Sequence, residues 1–258
     1  MDANQPIGVF DSGLGGISVL REITALLPGE DYIYYGDSAN APYGVRPTEE
    51  IRQLTTVVFE KLIAQGVKAI VIACNTASSA AGEFLRGKYP QMPIVAIEPA
   101  VKPAVLSKKG GTVLVLATAA TLREHKFRHL LEIYKGQAEI IDFACPEIVE
   151  AVEHGDIRSA GLRKSLEERF ALVKGKGVNR IVLGCTHYPF VRKMIQEIAG
   201  SDVMIFDGAP GTARQLVRQL TERNLLRGDS RKGSIVWQNS SVDPALLALS
   251  KRLFSLRE

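Results

Sequence analysis

Cysteine is scarce: three in 258 residues, at positions 74, 145 and 185. An odd count builds no even disulfide framework, and no two stand as a Cys-x-x-Cys metal pair. Reduced thiols in a reducing compartment are the simpler reading, and a cytoplasmic protein is expected. Long apolar runs are missing too. The run that starts at Ile7 breaks at Asp11. No stretch approaches the roughly 20 apolar residues of a membrane span, so neither a leader nor a membrane partner is expected. Charge of one sign is not in excess, since 32 Lys and Arg meet 28 Asp and Glu for a net +4. The basic residues are scattered. Their densest groups, 123–128 and 227–232, read as solvated surface, and no nucleic-acid partner is expected. The glycine stretch at 13–16 lacks the Gly-Lys-Ser/Thr ending of a phosphate loop and the full dinucleotide fingerprint. His125 and His129 stand four apart, but no third ligand accompanies them, so no metal is expected.

What is present is ordinary in bulk: 46% hydrophobic and 23% charged residues. A chain of this length buries one large core or two modest ones. Its order is informative. IGVF (7–10) reads as a buried strand, followed by Gly13, Gly15 and Gly16 turning into a helix that stops at Pro28–Gly29. Such a turn presents free N–H groups that suit an anion, although a turn without a ligand is the commoner case. Strands follow at 31–37, before Cys74 and at 93–98, with helices over 48–65 and 78–88. This alternation predicts βαβ units and a mostly parallel sheet. The pattern restarts at 111–122. A helix over 122–134, a strand at 138–145, and helices over 146–155 and 159–175 come next. Then come the Cys185 strand, a helix over 188–199 and a strand at 203–207. A helix over 208–226, a strand at 234–241 and an amphipathic helix over 244–256 are expected to return to the first lobe. The offset from Ile7 to Thr112 roughly matches that from Cys74 to Cys185, which suggests an internal duplication. The expected fold is α/β: two similar lobes, each a mostly parallel sheet flanked by helices, with the active site between them. The first lobe is 1–98 plus 208–258, and the second is 99–207.

Two runs organise this pattern, AIVIACNTAS (69–78) and RIVLGCTHYP (180–189). Each is a strand that ends in a cysteine followed by hydrogen-bonding residues. The carboxyl edge of an open α/β sheet is where ligands bind. A lone cysteine after a strand is usually core packing; two in matched polar settings are not so easily dismissed. Thiols activated by nearby donors act as bases. One on each face of a Cα–H bond would remove the proton on one side and return it on the other, which is two-base racemisation. A Cys/His nucleophile built from Cys185 and His187 is the alternative chemistry. Asp11 and His187 are acid–base candidates beside the thiols. Asp11 could equally be a helix cap, and Glu153 an exposed helix-end residue. Cys145, without an echo in the other half, reads as structural.

The motifs GVFDSGLGG (8–16), YYGDSANAPYG (34–44), ACNTAS (73–78), IEP (97–99), VLATAAT (115–121), CP…VE (145–153) and GCTHYP (184–189) resemble, in order across nearly the whole chain, the bacterial glutamate racemases. ACNTAS together with GCTHYP is the most specific part. The resemblance implies racemisation of L- and D-glutamate without a cofactor, supply of D-glutamate for peptidoglycan, and a homodimer. It implies that Cys74 and Cys185 are the acid–base thiols, that Asp11 and His187 assist them, and that Glu153 stands near His187. Asp11, Ser12, Tyr43, Gly44, Asn75, Thr76, Thr118, Thr121, Thr186 and His187 would hold the substrate. The chain departs from the family pattern at Ala39–Asn40, Glu124–His125 and Gly208. A racemase for aspartate or another acidic amino acid, or a non-catalytic amino-acid-binding protein, are the rival readings.

Overall fold

β1 (Ile7–Asp11), β2 (Tyr32–Gly36) and β3 (Ala69–Ile72) are buried at every position. That is the mark of parallel strands covered on both faces. In the computed structural model, which describes residues 2–108, 110–134, 136–228 and 231–256, helices alternate with them: α1 (Ile17–Leu26), α2 (Thr48–Ala64) and α3 (Asn75–Lys88). β4 (Ile94–Ala96) completes the run. The second series holds α4 (Val101–Leu106), β5 (Thr112–Ala117), α5 (Ala119–Arg123), α6 (His125–Tyr134) and β6 (Glu139–Ala144). It continues through α7 (Pro146–His154), α8 (Ala160–Ala171), β7 (Val178–Leu183), α9 (Arg192–Ala199) and β8 (Met204–Asp207). α10 (Ala209–Glu222), β9 (Ile235–Asn239) and α11 (Pro244–Ser255) close the chain.

Two all-parallel sheets result, ordered β4-β3-β1-β2-β9 and β6-β5-β7-β8. The late strand β9 pairs with β2, and α10 and α11 pack on α1, so the chain's last segment returns to the first sheet. One apolar cluster runs from Ile7 and Val9 through Leu114 and Leu116 to Ile181 and Leu183. It therefore joins both sheets. Each such buried aliphatic side chain contributes about 1.5–3 kcal/mol.

Local chemistry moved several predicted boundaries. α3 begins at Asn75 rather than at 78, because the Cys74 sulfur itself caps it, accepting from the Ala77 N–H at 3.4 Å. The predicted helix over 122–134 breaks at Glu124, whose backbone is extended, into α5 and α6. The segment 188–199 opens as a 3-10 turn over Tyr188–Val191, where Pro189 supplies no N–H. α4 was not foreseen.

Part of the basic group at 227–232 is not solvated surface. Arg227 is buried to 6% side-chain exposure and bonds the Asp31 carboxylate at 2.8 Å. Nearby, Lys68 pairs with Glu30 out of solvent. These ions sit at the amino edge of the first sheet, where they bind β2, β3 and the approach to β9 together. In the second lobe, the buried Arg180 guanidinium donates to the carbonyls of Ala104, Val105 and Lys108, the last at 2.6 Å. It thereby satisfies the C-terminal carbonyls of α4. Gly208 touches the other connection between the sheets. A Cβ there would lie 2.3 Å from the Glu98 carbonyl oxygen, so a larger residue would push the two connections apart.

Candidate active site

The carboxyl ends of both sheets open into one cleft of about 700 Å³. Its wall includes Ser12, Tyr43, Gly44, Cys74, Asn75 and Thr76 from the first lobe, and Thr118, Glu153, Cys185, Thr186 and His187 from the second. Each thiol ends its strand run and precedes a helical turn, so β-sheet order delivers both to the same opening.

The two thiols have different company. Cys74 is buried; its sulfur lies 3.5 Å from Ser12 Oγ and accepts from the Ala77 N–H. Burial first, and then the Asp11 carboxylate, push this thiol up to about 12. Cys185 lies 3.5 Å from His187 Nδ1. The other ring nitrogen, Nε2, lies 2.6 Å from Glu153 Oε1. Burial alone would lower His187, but the Cys185 thiol and the Glu153 carboxylate outweigh it and hold the imidazole well above its usual value. Burial would likewise raise Glu153, yet hydrogen bonding and charge from His187 keep it low. Sulfur, imidazole and carboxylate thus form a line, one ring nitrogen facing each partner.

Asp11 and Thr121 stand immediately behind the wall rather than on it, both fully buried. Asp11 accepts from the Gly13 N–H at 2.8 Å and from Thr186 Oγ1 at 3.0 Å. No hydrogen bond joins it to Cys74 among the described residues; its influence there is through charge. Burial is the largest influence on its own carboxyl and raises it. Thr121 belongs to a hydroxyl cluster with Thr76 and Thr118, at 3.4 and 2.9 Å. The Tyr43 hydroxyl is committed to Asp37 at 2.6 Å. Among the described residues, Asn75 Oδ1 is buried without a hydrogen-bond partner.

The glycine turn holds an anion after all, but it is the chain's own. The Leu14 N–H donates to Glu153 Oε1 at 2.8 Å. Glu153 is therefore neither exposed nor idle at its helix end. Cys145 is fully buried as the residue before α7, and its N–H donates to the Tyr188 hydroxyl, in keeping with a structural place. His125 and His129 stack with ring centroids 6.4 Å apart. Among the described residues, no group of three or more His, Cys, Asp or Glu is arranged for a metal ion, and no helix is long and apolar enough to cross a membrane.

Sequence reasoning missed part of the wall: Val149, Glu150 and His154 from α7, and Leu246 and Leu249 from α11. The face of α7 that carries Glu153 is the one signal that could have found the first three, one helical turn apart. Of the departures from the family pattern, Glu124, just before α6, accepts from the Thr48 hydroxyl at the start of α2 at 2.7 Å. Asn40 donates to Asp37.

Residues 7–216 match the family described as Asp/Glu/hydantoin racemase. A glutamate racemase from Clostridium perfringens is 48% identical over 254 residues, covering 98% of each chain. Among solved structures, the glutamate racemase from Francisella tularensis in complex with D-glutamate superposes with a TM-score of 0.84 at 29% identity, covering 99% of this chain and 95% of the other. The Thermus thermophilus glutamate racemase in complex with beta-chloro-D-alanine does so at 0.82 and 33%, covering 98% and 94%.

Proposed function

Because this chain belongs to the Asp/Glu/hydantoin racemase family, we propose that it interconverts L- and D-glutamate by two-base proton transfer between Cys74 and Cys185. The observation that carries this reading is the meeting of two buried thiols, one from each sheet, in one cleft. Relatives at 48% identity, named glutamate racemases, support glutamate as the substrate. In the proposed reaction, Cys185 takes the Cα proton of L-glutamate while Cys74, resting as a thiol, gives its proton to the opposite face. The reverse reaction exchanges the roles. His187 relays the proton at Cys185. Ser12 and the Ala77 N–H donate to Cys74 when it is the thiolate. The lobes are read as 1–98 with 208–258, and 99–207. We further read the protein as a cytoplasmic homodimer whose D-glutamate serves peptidoglycan synthesis.

The test is purified protein with L-glutamate in D2O and no added cofactor, followed by circular dichroism and mass. Optical activity should decay to zero with one deuteron gained at Cα, and a chelator should leave the rate intact. Unchanged optical activity would refute the reading. Aspartate should turn over at least about tenfold less efficiently, because a ligand one methylene shorter leaves a polar group of the site unpaired.

Asn75 offers a second expectation. An unpaired buried acceptor costs about 1–3 kcal/mol, and the substrate ammonium is a donor suited to relieve it. Asn75→Ala should leave the free protein as stable as before or slightly more stable. KM for glutamate should rise about tenfold, since the bond is made only when substrate is bound. Thermal melting and steady-state kinetics check both parts; a large loss of stability with KM unchanged contradicts this role.

A further inference from the structure

The glycine turn and the first turn of α1 belong to the first lobe, yet they rest against the relay of the second lobe's thiol. A Cβ on Gly13 would stand 2.1 Å from Glu153 Oε1, and one on Gly15 would stand 2.5 Å from His187 Nδ1 and 2.6 Å from Thr186 Oγ1. These are backbone-to-side-chain approaches that only glycine permits. Ser18 sits one turn further on and is buried. Its hydroxyl lies 2.8 Å from the Thr186 carbonyl oxygen and 2.9 Å from that of Gly15. The two-thiol reaction has no use for this hydroxyl.

We propose that Ser18 is a positioning residue for the Cys185 side of the reaction, its hydroxyl pinning the Thr186 peptide to the first lobe. Thr186 lies between Cys185 and His187 in sequence. A shift of its peptide displaces both the sulfur and the ring, which stand 3.5 Å apart. The contacts of Cys74 run by a separate route, through Ser12 and the Ala77 N–H. Loss of the Ser18 hydroxyl therefore injures one half of the reaction and spares the other. The lobes are coupled the same way at two further points, Thr186 to Asp11 and Leu14 to Glu153. Docking the first lobe's turn thus completes the second lobe's relay.

This inference rests on the two-thiol reading, and its test separates the two. A glutamate analogue with a leaving group at Cβ needs only one deprotonation, by Cys185 for the L form and by Cys74 for the D form. In Ser18→Ala, kcat for elimination from the L analogue should fall about tenfold, the scale of a small misplacement of a reacting group. KM should be unchanged, and elimination from the D analogue should stay within about twofold of wild type. Gly15→Ala, which drives a methyl toward His187 from the same turn, should show the same bias. If Ser18→Ala melts below the assay temperature, Ser18→Cys decides the matter: its weaker S–H donor in the same place should give the same bias in smaller measure, and an L-side rate equal to wild type overturns the role. Equal losses on both analogues, a loss confined to the D analogue, or no loss at all overturns the role of Ser18. A wild-type protein that neither racemises nor eliminates refutes the two-thiol reading itself.

Discussion

Replacing either cysteine with serine is expected to reduce racemisation at least about a thousandfold in both directions. General acid–base groups contribute about 10²–10⁴-fold each, and the proposed reaction uses both thiols in every turnover. Serine nearly preserves the volume of cysteine but is a far weaker base, so substrate binding should survive where turnover does not. The two variants should differ once protonation is no longer required. Cys74→Ser should still eliminate from the L-configured analogue, and Cys185→Ser from the D-configured one. The environments of the thiols add a pH dependence. Burial and the Asp11 charge push Cys74 up to about 12 in the free protein, so the thiolate needed for the D side is favoured by rising pH. Elimination from the D analogue should keep climbing into the alkaline range. A cysteine variant that racemises near the wild-type rate would sink the mechanism, and swapped survivors would sink only the assignment of hands.

Glu153→Gln is expected to lower elimination from the L analogue about a hundredfold and to disturb the D side much less. Glu153 accepts from His187 Nε2 and from the Leu14 N–H through one oxygen, so it both charges the relay and docks it on the first lobe. Glutamine keeps the shape and can still accept a bond, but it removes the charge. The sign of the pH effect follows. Burial disfavours the His187 imidazolium, while Cys185 and Glu153 favour it and prevail. Without the Glu153 charge, burial is less opposed, and the imidazolium is lost at lower pH. The alkaline limb of the L-side kcat profile should therefore move down, and the ring protons of His187 followed by NMR should titrate lower than in wild type. An unmoved limb would show that Glu153 does not set the charge of His187. Equal damage to the D side would show that its role is general support of the cleft.

The sequence by itself determined the parallel α/β class, because apolar runs that alternate with helical segments can be buried only between covering helices. It also singled out both thiols as candidates, since a strand ending in cysteine and hydroxyl residues is less easily put down to packing when it occurs twice. Helix starts were less legible: Cys74 capping α3 through its sulfur follows no common capping preference. Tertiary structure alone decided which atoms meet. Asp11 and Thr121 read as substrate ligands but lie behind the cleft wall. Arg227 read as surface and is buried against Asp31, residues brought together by pairing β9 with β2. The glycine turn read as a place for an anion, and the fold supplies that anion from Glu153 in the other lobe. Ser18 carried no signal at all, since its partner Thr186 is distant along the chain. The physical reason is common to these cases. Periodicity and strand-end chemistry are local properties of the chain, whereas a hydrogen bond between lobes exists only once both sheets are formed and packed through a shared core.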